Sequence, residues 1–403
     1  MRVFLNYRLP IAKYLLPKIH QPIPPNYSPT TQLKSYFCAV MYLSRLTLFN
    51  FKNYEEAEFD FSPGANALTG TNGSGKTNVL DAIHYLCLCK SYFHSTDSLN
   101  IRHDSGFFSI AGKFHLDGDD AGDDVFVGMK SGQKKIVKRN QKEYQRFSEH
   151  IGLLPVVMVA PIDQELITGP GDERRKLMDS IISQYDHQYL ENLVNYNKVL
   201  QQRNALLKQA GKGGYVEASM WQIWDEQLAV YGTRIYEARK EFIRRFVPVF
   251  NKYYAYLTDD SEQVSFGYES KLHDESLLDL LQKTHSRDLM LQYTSVGVHR
   301  DDLELLLNNY PVKKIGSQGQ QKSFVLAVKL AQFELIKESS GVKPFLLLDD
   351  IFDKLDIHRI TRLMELVSND TFGQLFITDT AEEHIKGVFE RINVELKVFR
   401  CKK

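Results

Sequence analysis

Cysteine is scarce in this chain: 4 of 403 residues, at Cys38, Cys87, Cys89 and Cys401. Only Cys87 and Cys89 lie close together, as C-x-C within a helical pattern, a spacing that does not hold zinc. A reducing, cytosolic compartment is the simplest expectation. Net charge is also missing, because 50 Lys and Arg face 50 Asp and Glu. Overall charge therefore favours no nucleic-acid partner, and any basic binding surface must be local. No run of eighteen apolar residues occurs, which excludes a membrane-spanning helix. Residues 1–40 contain no Asp or Glu, but several prolines (Pro10, Pro17, Pro22, Pro24 and Pro25 among them) and scattered basic residues. An acid-free start is a feature of organelle targeting peptides, yet no apolar core region or small-residue cleavage site accompanies it. The expectation is a leader outside the fold, with Met41 as the natural first residue. The length suits one large core with an inserted or appended domain.

What the chain does have is Gly70-Thr71-Asn72-Gly73-Ser74-Gly75-Lys76-Thr77, which fits G-x-x-x-x-G-K-[ST]. Ala65–Thr69 reads as a short buried strand feeding this loop. Val79, Leu80, Ile83, Leu86 and Cys87 then fall at helical spacing, so the loop opens a helix. The glycines let backbone N–H groups converge on one concavity at the positive end of that helix, where a polyphosphate is stabilised. Lys76 would reach the phosphates and Thr77 would offer a hydroxyl to Mg²⁺, with Asn78 next in line. Upstream, Leu43, Arg45, Thr47 and Phe49 alternate in a first strand, and Glu55–Phe61 makes a second.

Residues 105–146 read as antiparallel strands, Phe107–Phe114, Val125–Lys130 and Lys134–Lys138, with Ser131-Gly132 as a tight turn. Lys130, Lys134, Lys135, Lys138, Arg139, Lys142 and Arg146 form a basic cluster against Glu143 alone. Such a cluster either tracks phosphates or is an ordinary solvated face. From about Gly171 to Tyr256 the apolar period becomes 3.5. Tyr189, Leu193, Tyr196, Leu200 and Leu207 form one seam. Trp221, Trp224, Leu228, Tyr231, Ile235, Ala238 and Phe242 form another, with Gly211–Gly214 as the turn between them. This predicts an antiparallel helical hairpin. Its Arg174, Arg175, Lys198, Arg203, Lys208, Arg234, Arg239, Lys240, Arg244 and Arg245 are expected mostly on solvated helix faces.

Lys343–Asp350 is an apolar strand ending in the two carboxylates Asp349 and Asp350, at the strand end where α/β sheets place ligands. Asp349 would hold Mg²⁺, and Asp350 would orient and deprotonate an attacking water. Upstream, Gly316-Ser317-Gln318-Gly319-Gln320-Gln321 opens a long apolar helix. Ser317 suits its N-cap, but Gly319 is a poor choice for an opening turn.

The order of P-loop, helical insertion, S-x-G-Q loop, paired acids and Phe352-Asp353-Lys354-Leu355-Asp356 resembles the ABC-type ATPase heads of the SMC class. Four stretches resemble the RecF family of bacterial recombination mediators in particular: Met41–Tyr54, Tyr196–Lys208, Gly297–Asp302 and Gly316–Ala331. The resemblance runs from Met41 to about Phe399. It implies an α/β fold, an ABC-type, SMC-like P-loop ATPase head with an antiparallel β-subdomain and an inserted α-helical hairpin arm. The implied divisions are 1–40 leader, 41–170 N-terminal lobe, 171–290 helical arm and 291–403 C-terminal lobe. It also implies ATP and Mg²⁺ as cofactors, with Gly70 to Asn78 on the nucleotide. Ser317, Gly319, Gln320 and Asp356 would meet nucleotide held by a second copy in a homodimer. Lys134, Lys135, Lys138 and Arg139 would be its DNA contacts. The implied activity is ATP-dependent binding of double-stranded and gapped DNA, assisting RecO and RecR in loading RecA, with slow hydrolysis as reset. Several positions depart from the pattern: Val298 for the usual proline, Gly316 for a more usual alanine or serine, Asp350 where ABC proteins carry Glu though the RecF family shares the aspartate, and Thr378-Asp379-Thr380 where ABC proteins carry a switch histidine. The last departure leaves the γ-phosphate sensor unassigned. A different SMC-like repair ATPase, or a transporter ATPase subunit, shares the core motifs.

Overall fold

The computed structural model describes residues 38–116, 121–259, 262–352, 357–369 and 371–401. The expected leader lies outside the described residues except for its last three. The first strands are β1 (Met41–Phe51) and β2 (Tyr54–Asp60), joined by the tight Lys52-Asn53 turn. β3 (Ala65–Thr69) leaves for a second sheet and delivers the P-loop to α1 (Lys76–Leu88). Then come β4 (Phe107–Leu116), β5 (Asp123–Lys130), β6 (Ile136–Arg139) and β7 (Lys142–Glu143). These strands build an antiparallel sheet in the order β2-β1-β4-β5-β6-β7. Alternation puts Leu46, Leu48, Phe108, Ile110, Val125 and Val127 on the face that packs against Val79, Ile83 and Leu86 of α1.

β8 (Val156–Val159) follows, then α2 (Glu165–Thr168), α3 (Gly171–Ile182), α4 (His187–Gly211) and α5 (Ala218–Thr258). The expected hairpin is present as α4 and α5. α5 runs for 41 residues, about 60 Å at 1.5 Å per residue. Its first half carries the seam, with Leu228, Ile235 and Phe242 buried beside Tyr189, Tyr196 and Leu207 of α4. Its second half is core: Phe246 and Phe250 meet Phe266 edge-on at 5.6 and 4.6 Å, and Phe250 reaches Phe324 at 4.8 Å.

After β9 (Val264–Glu269) and α6 (Leu277–Leu291) come β10 (Asp302–Leu307), β11 (Tyr310–Pro311) and α7 (Val312–Ile315). The chain closes with α8 (Gln318–Ser340), β12 (Phe345–Leu348), α9 (Ile357–Ser368), β13 (Leu375–Asp379), α10 (Glu382–Arg391) and β14 (Leu396–Arg400). The second sheet is wholly parallel, in the order β14-β3-β13-β12-β8. Its central strands are apolar on both faces because both are covered. Phe345, Leu347 and Phe376 face the α1 side, while Leu346, Leu348 and Ile377 face α8. Among the described residues no helix is long and apolar enough to cross a membrane, and the four cysteines are unpaired.

The expectation of solvated arginines fails at several positions. Arg203 is fully buried: Nε donates to Asp225 at 2.6 Å, and Nη1 to Asp288 at 2.7 Å and Thr294 at 2.9 Å. Arg239, also buried, donates to Asp179 at 2.8 Å, the Val298 carbonyl at 2.7 Å and Tyr189 Oη at 3.1 Å. Arg174 grips Asp302 with two bonds of 2.7 and 2.8 Å, and Arg175 reaches the Asp301 carbonyl at 2.6 Å. Each guanidinium fastens helices to the Gly297–Asp302 segment or its flank, so these charges are internal braces. Lys198, Lys208, Arg234, Lys240 and Arg244 do stay exposed.

Candidate functional site

β3 is buried at every residue and points the Gly70–Thr77 loop off the C-terminal edge of the parallel sheet. Gly70 and Gly75 have φ of 149° and 102°. Space is as restrictive as conformation. A Cβ on Gly70 would lie 2.5 Å from the Cys401 carbonyl oxygen, and one on Gly75 2.6 Å from Asn53 Nδ2. Thr71, Asn72 and Gly73 are exposed at the crown, whereas Ser74 and Lys76 are buried. α1 opens with no side-chain cap and no acidic residue in its first turn. Its leading N–H groups therefore face outward from a positive helix end. Lys76 Nζ donates to the carbonyls of Gly70 at 2.8 Å and Thr71 at 3.2 Å, which holds the ammonium at the loop mouth. Ser74 Oγ is buried without a partner. Uncapped donors, an ammonium and an orphaned hydroxyl at one place fit a polyphosphate.

The second half of the site arrives on β12. Parallel pairing sets Leu348 beside Val159 of β8 and Ile377 of β13, so Asp349 emerges level with the P-loop. Thr77 Oγ1 donates to Asp349 Oδ1 at 2.8 Å, and Thr378 Oγ1, one step beyond Ile377, donates to the same oxygen at 2.9 Å. The Asp350 N–H donates to Thr378 Oγ1 at 2.8 Å, which helps hold Asp350 at its left-handed φ of 47°. Asp349 is 4% exposed. Burial pushes its carboxyl above the ordinary range, and the Thr77 and Thr378 hydroxyls oppose that push. Hard oxygens of Thr77 and Asp349 side by side fit Mg²⁺, which takes one or two protein ligands and completes its shell with phosphate and water.

Ser317 and Gln320 form a capping box at the start of α8. Ser317 Oγ accepts from Gln320 N at 3.3 Å, and Gln320 Oε1 accepts from Ser317 N at 2.7 Å. Gln320 Nε2 donates to Glu262 at 2.8 Å. Gln320, expected on nucleotide, thus has both amide atoms bonded within the chain. Gly319 has room: a Cβ there would come no closer than 3.8 Å to its neighbours, the Arg359 guanidinium nitrogens. Internal packing does not require that glycine. Asp356 lies outside the described residues.

Several residues absent from the motif reading converge here. Asn53 donates to the Ser74 carbonyl at 3.4 Å and accepts from Asn78 Nδ2 at 2.6 Å, tying the β1–β2 turn to the P-loop. Gln164 Nε2 bonds Gln321 Oε1 at 2.6 Å. With Pro161, Gln318, Lys322, Asp349 and Ile351, this pair lines a cavity of about 370 Å³ between the acids and the start of α8. His384, a turn into α10, meets Asp379 at 3.1 Å and stacks edge-on against Phe352 at 5.1 Å. The only local signal for any of them is Asn53-Tyr54 within the Met41–Tyr54 stretch.

The expected DNA-contacting group divides. Lys134 is exposed and Lys138 half-buried. Lys135 turns inward, donating to Asp97 at 2.9 Å, Tyr85 Oη at 3.2 Å and the Cys89 carbonyl, with its side chain only 10% exposed. It closes the end of α1 and cannot reach a phosphate from there. Arg139 pairs with Asp123, whose carboxyl is held below the ordinary range by Arg139 and Asn140 against the effect of burial. On the arm side, burial drives His299 down to about 4. It is therefore neutral at pH 7, accepting from Tyr196 Oη at 2.7 Å on Nδ1 and donating from Nε2 to the Thr294 carbonyl at 3.1 Å.

The family model for the RecF/RecN/SMC N terminal domain matches residues 42–402. The DNA replication and repair protein RecF of Bacteroides thetaiotaomicron is 46% identical over 360 residues, covering 89% of this chain and 96% of that protein. Its counterpart in Flavobacterium johnsoniae is 47% identical over 359 residues, covering 89% and 99%. A solved structure of the recombination mediator protein RecF-ATPrS in the RecFOR pathway superposes with a TM-score of 0.80 at 30% identity, covering 91% of this chain and 97% of that one. By sequence and by fold, this chain belongs to the RecF family, an SMC-like branch of the ABC-type ATPase heads.

Proposed function

We propose that this chain is an ATP-dependent DNA-binding protein of recombinational repair and replication-fork maintenance. The observation that carries the reading is the unbroken hydrogen-bond path Thr77–Asp349–Thr378–Asp350, which joins the P-loop to the paired acids across β13. The names of its relatives, DNA replication and repair proteins, support the DNA half of it. Bound ATP with Mg²⁺ would supply the phosphoanhydride to be cleaved. The N–H groups of α1 and Lys76 Nζ would take phosphate oxygens, Thr77 and Asp349 would hold the cation, and Asp350 would accept the proton of the attacking water. The shorter reach of Asp relative to Glu suits slow hydrolysis. Ser317 and the bare Gly319 would approach the nucleotide of a second copy. The division into lobes 41–170 and 291–403 around a helical piece 171–290 belongs to the same reading. The dimer binds duplex DNA near single-strand gaps and assists RecO and RecR in loading RecA, and hydrolysis releases it.

Ser317→Arg tests the two-copy site. Bulk is added where the partner's nucleotide docks, while the chain's own P-loop is untouched. ATP binding should persist, with ATP-dependent dimerisation by light scattering and phosphate release both lost. A Ser317→Arg protein that dimerises and hydrolyses normally would reduce the reading to a P-loop ATPase without a shared site.

A further inference from the structure

The loop that opens α8 is braced from two sides. On one, Gln321 Nε2 donates to the Gly316 carbonyl at 2.9 Å while its Oε1 accepts from Gln164 at 2.6 Å. On the other stands Glu262, between the end of α5 and the start of β9. Its two carboxylate oxygens take different donors. Oε1 accepts from Gln320 Nε2 at 2.8 Å, and Oε2 accepts from the Tyr254 hydroxyl. The next residue, Gln263, is tied to Asn308 beyond the end of β10. Its N–H donates to Asn308 Oδ1 at 3.2 Å, and its carbonyl accepts from Asn308 N at 2.8 Å. The backbone that carries the carboxylate is therefore fixed.

A carboxylate only accepts hydrogen bonds, whereas a Gln amide has a donor at one end and an acceptor at the other. Glu262 thus selects the amide orientation that turns Nε2 toward itself. Oε1 is left facing the Ser317 N–H, which it meets at 2.7 Å. Reversed, the amide would set oxygen against carboxylate and donor against donor. The other half of the capping box, Gln320 N to Ser317 Oγ, is longer at 3.3 Å, so the bond that depends on Glu262 is the firmer one. Ser317 and Gln318 are exposed, whereas Gln320 and Glu262 are half-buried. The brace lies beneath the loop and leaves its outward face open. Tyr254 anchors the arrangement to the long arm helix: it is 1% exposed, near the end of α5, and meets Phe324 of α8 edge-on at 6.0 Å. Burial, with the bond to Glu262, holds its hydroxyl above the ordinary tyrosine range, so it remains a donor at neutral pH.

We propose that Glu262 is a positioning residue of the shared nucleotide site: it fixes the Gln320 amide, through it the Ser317 N–H, and so presents Ser317 and Gly319 to the triphosphate held by a second copy. It rests on the two-copy reading above and adds to it a residue outside the motif loops. Removing the carboxylate alone would also orphan the buried Tyr254 hydroxyl, so the test is built on Tyr254→Phe. The full chain is compared with Glu262→Gln, Tyr254→Phe and Tyr254→Phe/Glu262→Ala. Dimerisation is read by light scattering with ATP and Mg²⁺, phosphate release over a range of protein concentrations, and monomer binding with a fluorescent ATP analogue. Relative to Tyr254→Phe, the double variant should dimerise roughly 5- to 30-fold more weakly, since only the fraction of chains with the loop in place can dock. Its analogue binding and melting temperature should match those of Tyr254→Phe, and its phosphate release should recover at high protein concentration. Glu262→Gln keeps an oxygen for Gln320 and can donate to the Tyr254 oxygen, so it should stay within about threefold of wild type. A double variant that dimerises as Tyr254→Phe does, or whose lost phosphate release is not recovered by concentration, would overturn the positioning role. Ser317→Arg, run alongside, separates the two levels. Its normal dimerisation would sink the shared site and Glu262's role with it, whereas its loss beside an unaffected Glu262 series would remove Glu262 alone.

Discussion

Thr378 braces both acids of the site, and replacing it with valine isolates that dependence. Valine keeps the shape of threonine and deletes one hydroxyl, at a position with no exposure to water. That hydroxyl donates to Asp349 at 2.9 Å and accepts from the Asp350 N–H at 2.8 Å. Losing a hydrogen bond to a charged acceptor costs about 1.5–3 kcal/mol, and an orphaned N–H costs about 1–3 kcal/mol. Asp350 is half-buried, so water recovers part of the second term, and about 2–4 kcal/mol overall is expected from the same ranges. Chemical denaturation of wild type, Thr378→Val and Thr378→Ser measures it, and serine should restore most of the loss. The change also has a sign in pH. Asp349 already sits above the ordinary carboxylate range through burial, and Thr378 is one of two hydroxyls that restrain it. Removing one moves it further up, so the acid limb of Mg²⁺-dependent phosphate release should shift to higher pH in Thr378→Val and not in Thr378→Ser. A valine variant as stable as wild type, with a superimposable pH profile, would refute the bracing argument.

Asp349→Asn should raise the melting temperature of the ligand-free protein at neutral pH. A carboxyl raised by folding contributes its stability below its unfolded value and loses it as pH rises through the folded one, so the gain should close in acid. The same variant should lose the stabilisation that ATP with Mg²⁺ confers, and a variant that melts at or below wild type at neutral pH would contradict the first expectation. Lys135→Met should cost about 1–3 kcal/mol in denaturation, reduced from the fully buried case because Asp97 is 30% exposed. Lys134→Met should stay within about 0.5 kcal/mol; equal effects would return Lys135 to the surface. Arg239→Met strips Asp179 and the Val298 carbonyl of a buried donor and should cost about 3–5 kcal/mol. Hydrogen exchange in the Gly297–Asp302 segment should accelerate with it, and unchanged protection there would assign the brace elsewhere.

The P-loop was legible because eight consecutive residues carry both the conformation and the chemistry, and the strand and helix around it announce themselves by period. The same holds for Phe345–Asp350 and the Ser317 cap, which are patterns a few residues long, and for the α4–α5 seam, whose period repeats along each helix. Periodicity reports which face of an element is buried, but not what a buried polar group meets. Arg203 and Arg239 therefore read as solvated helix faces, and Lys135 as one more charge in a basic run. Only packing brings Asp225, Asp288, Asp179 and Asp97 to them from distant segments. The bonding role of Thr378, and Asn53 and Gln164 altogether, escaped for the same reason, since each acts through a partner far away in the chain. The outer sheet face makes the point from the other side. Alternation alone turns Phe107 and Phe126 outward, but pairing register sets Lys130 and Lys138 beside them, and register is a property of three strands meeting.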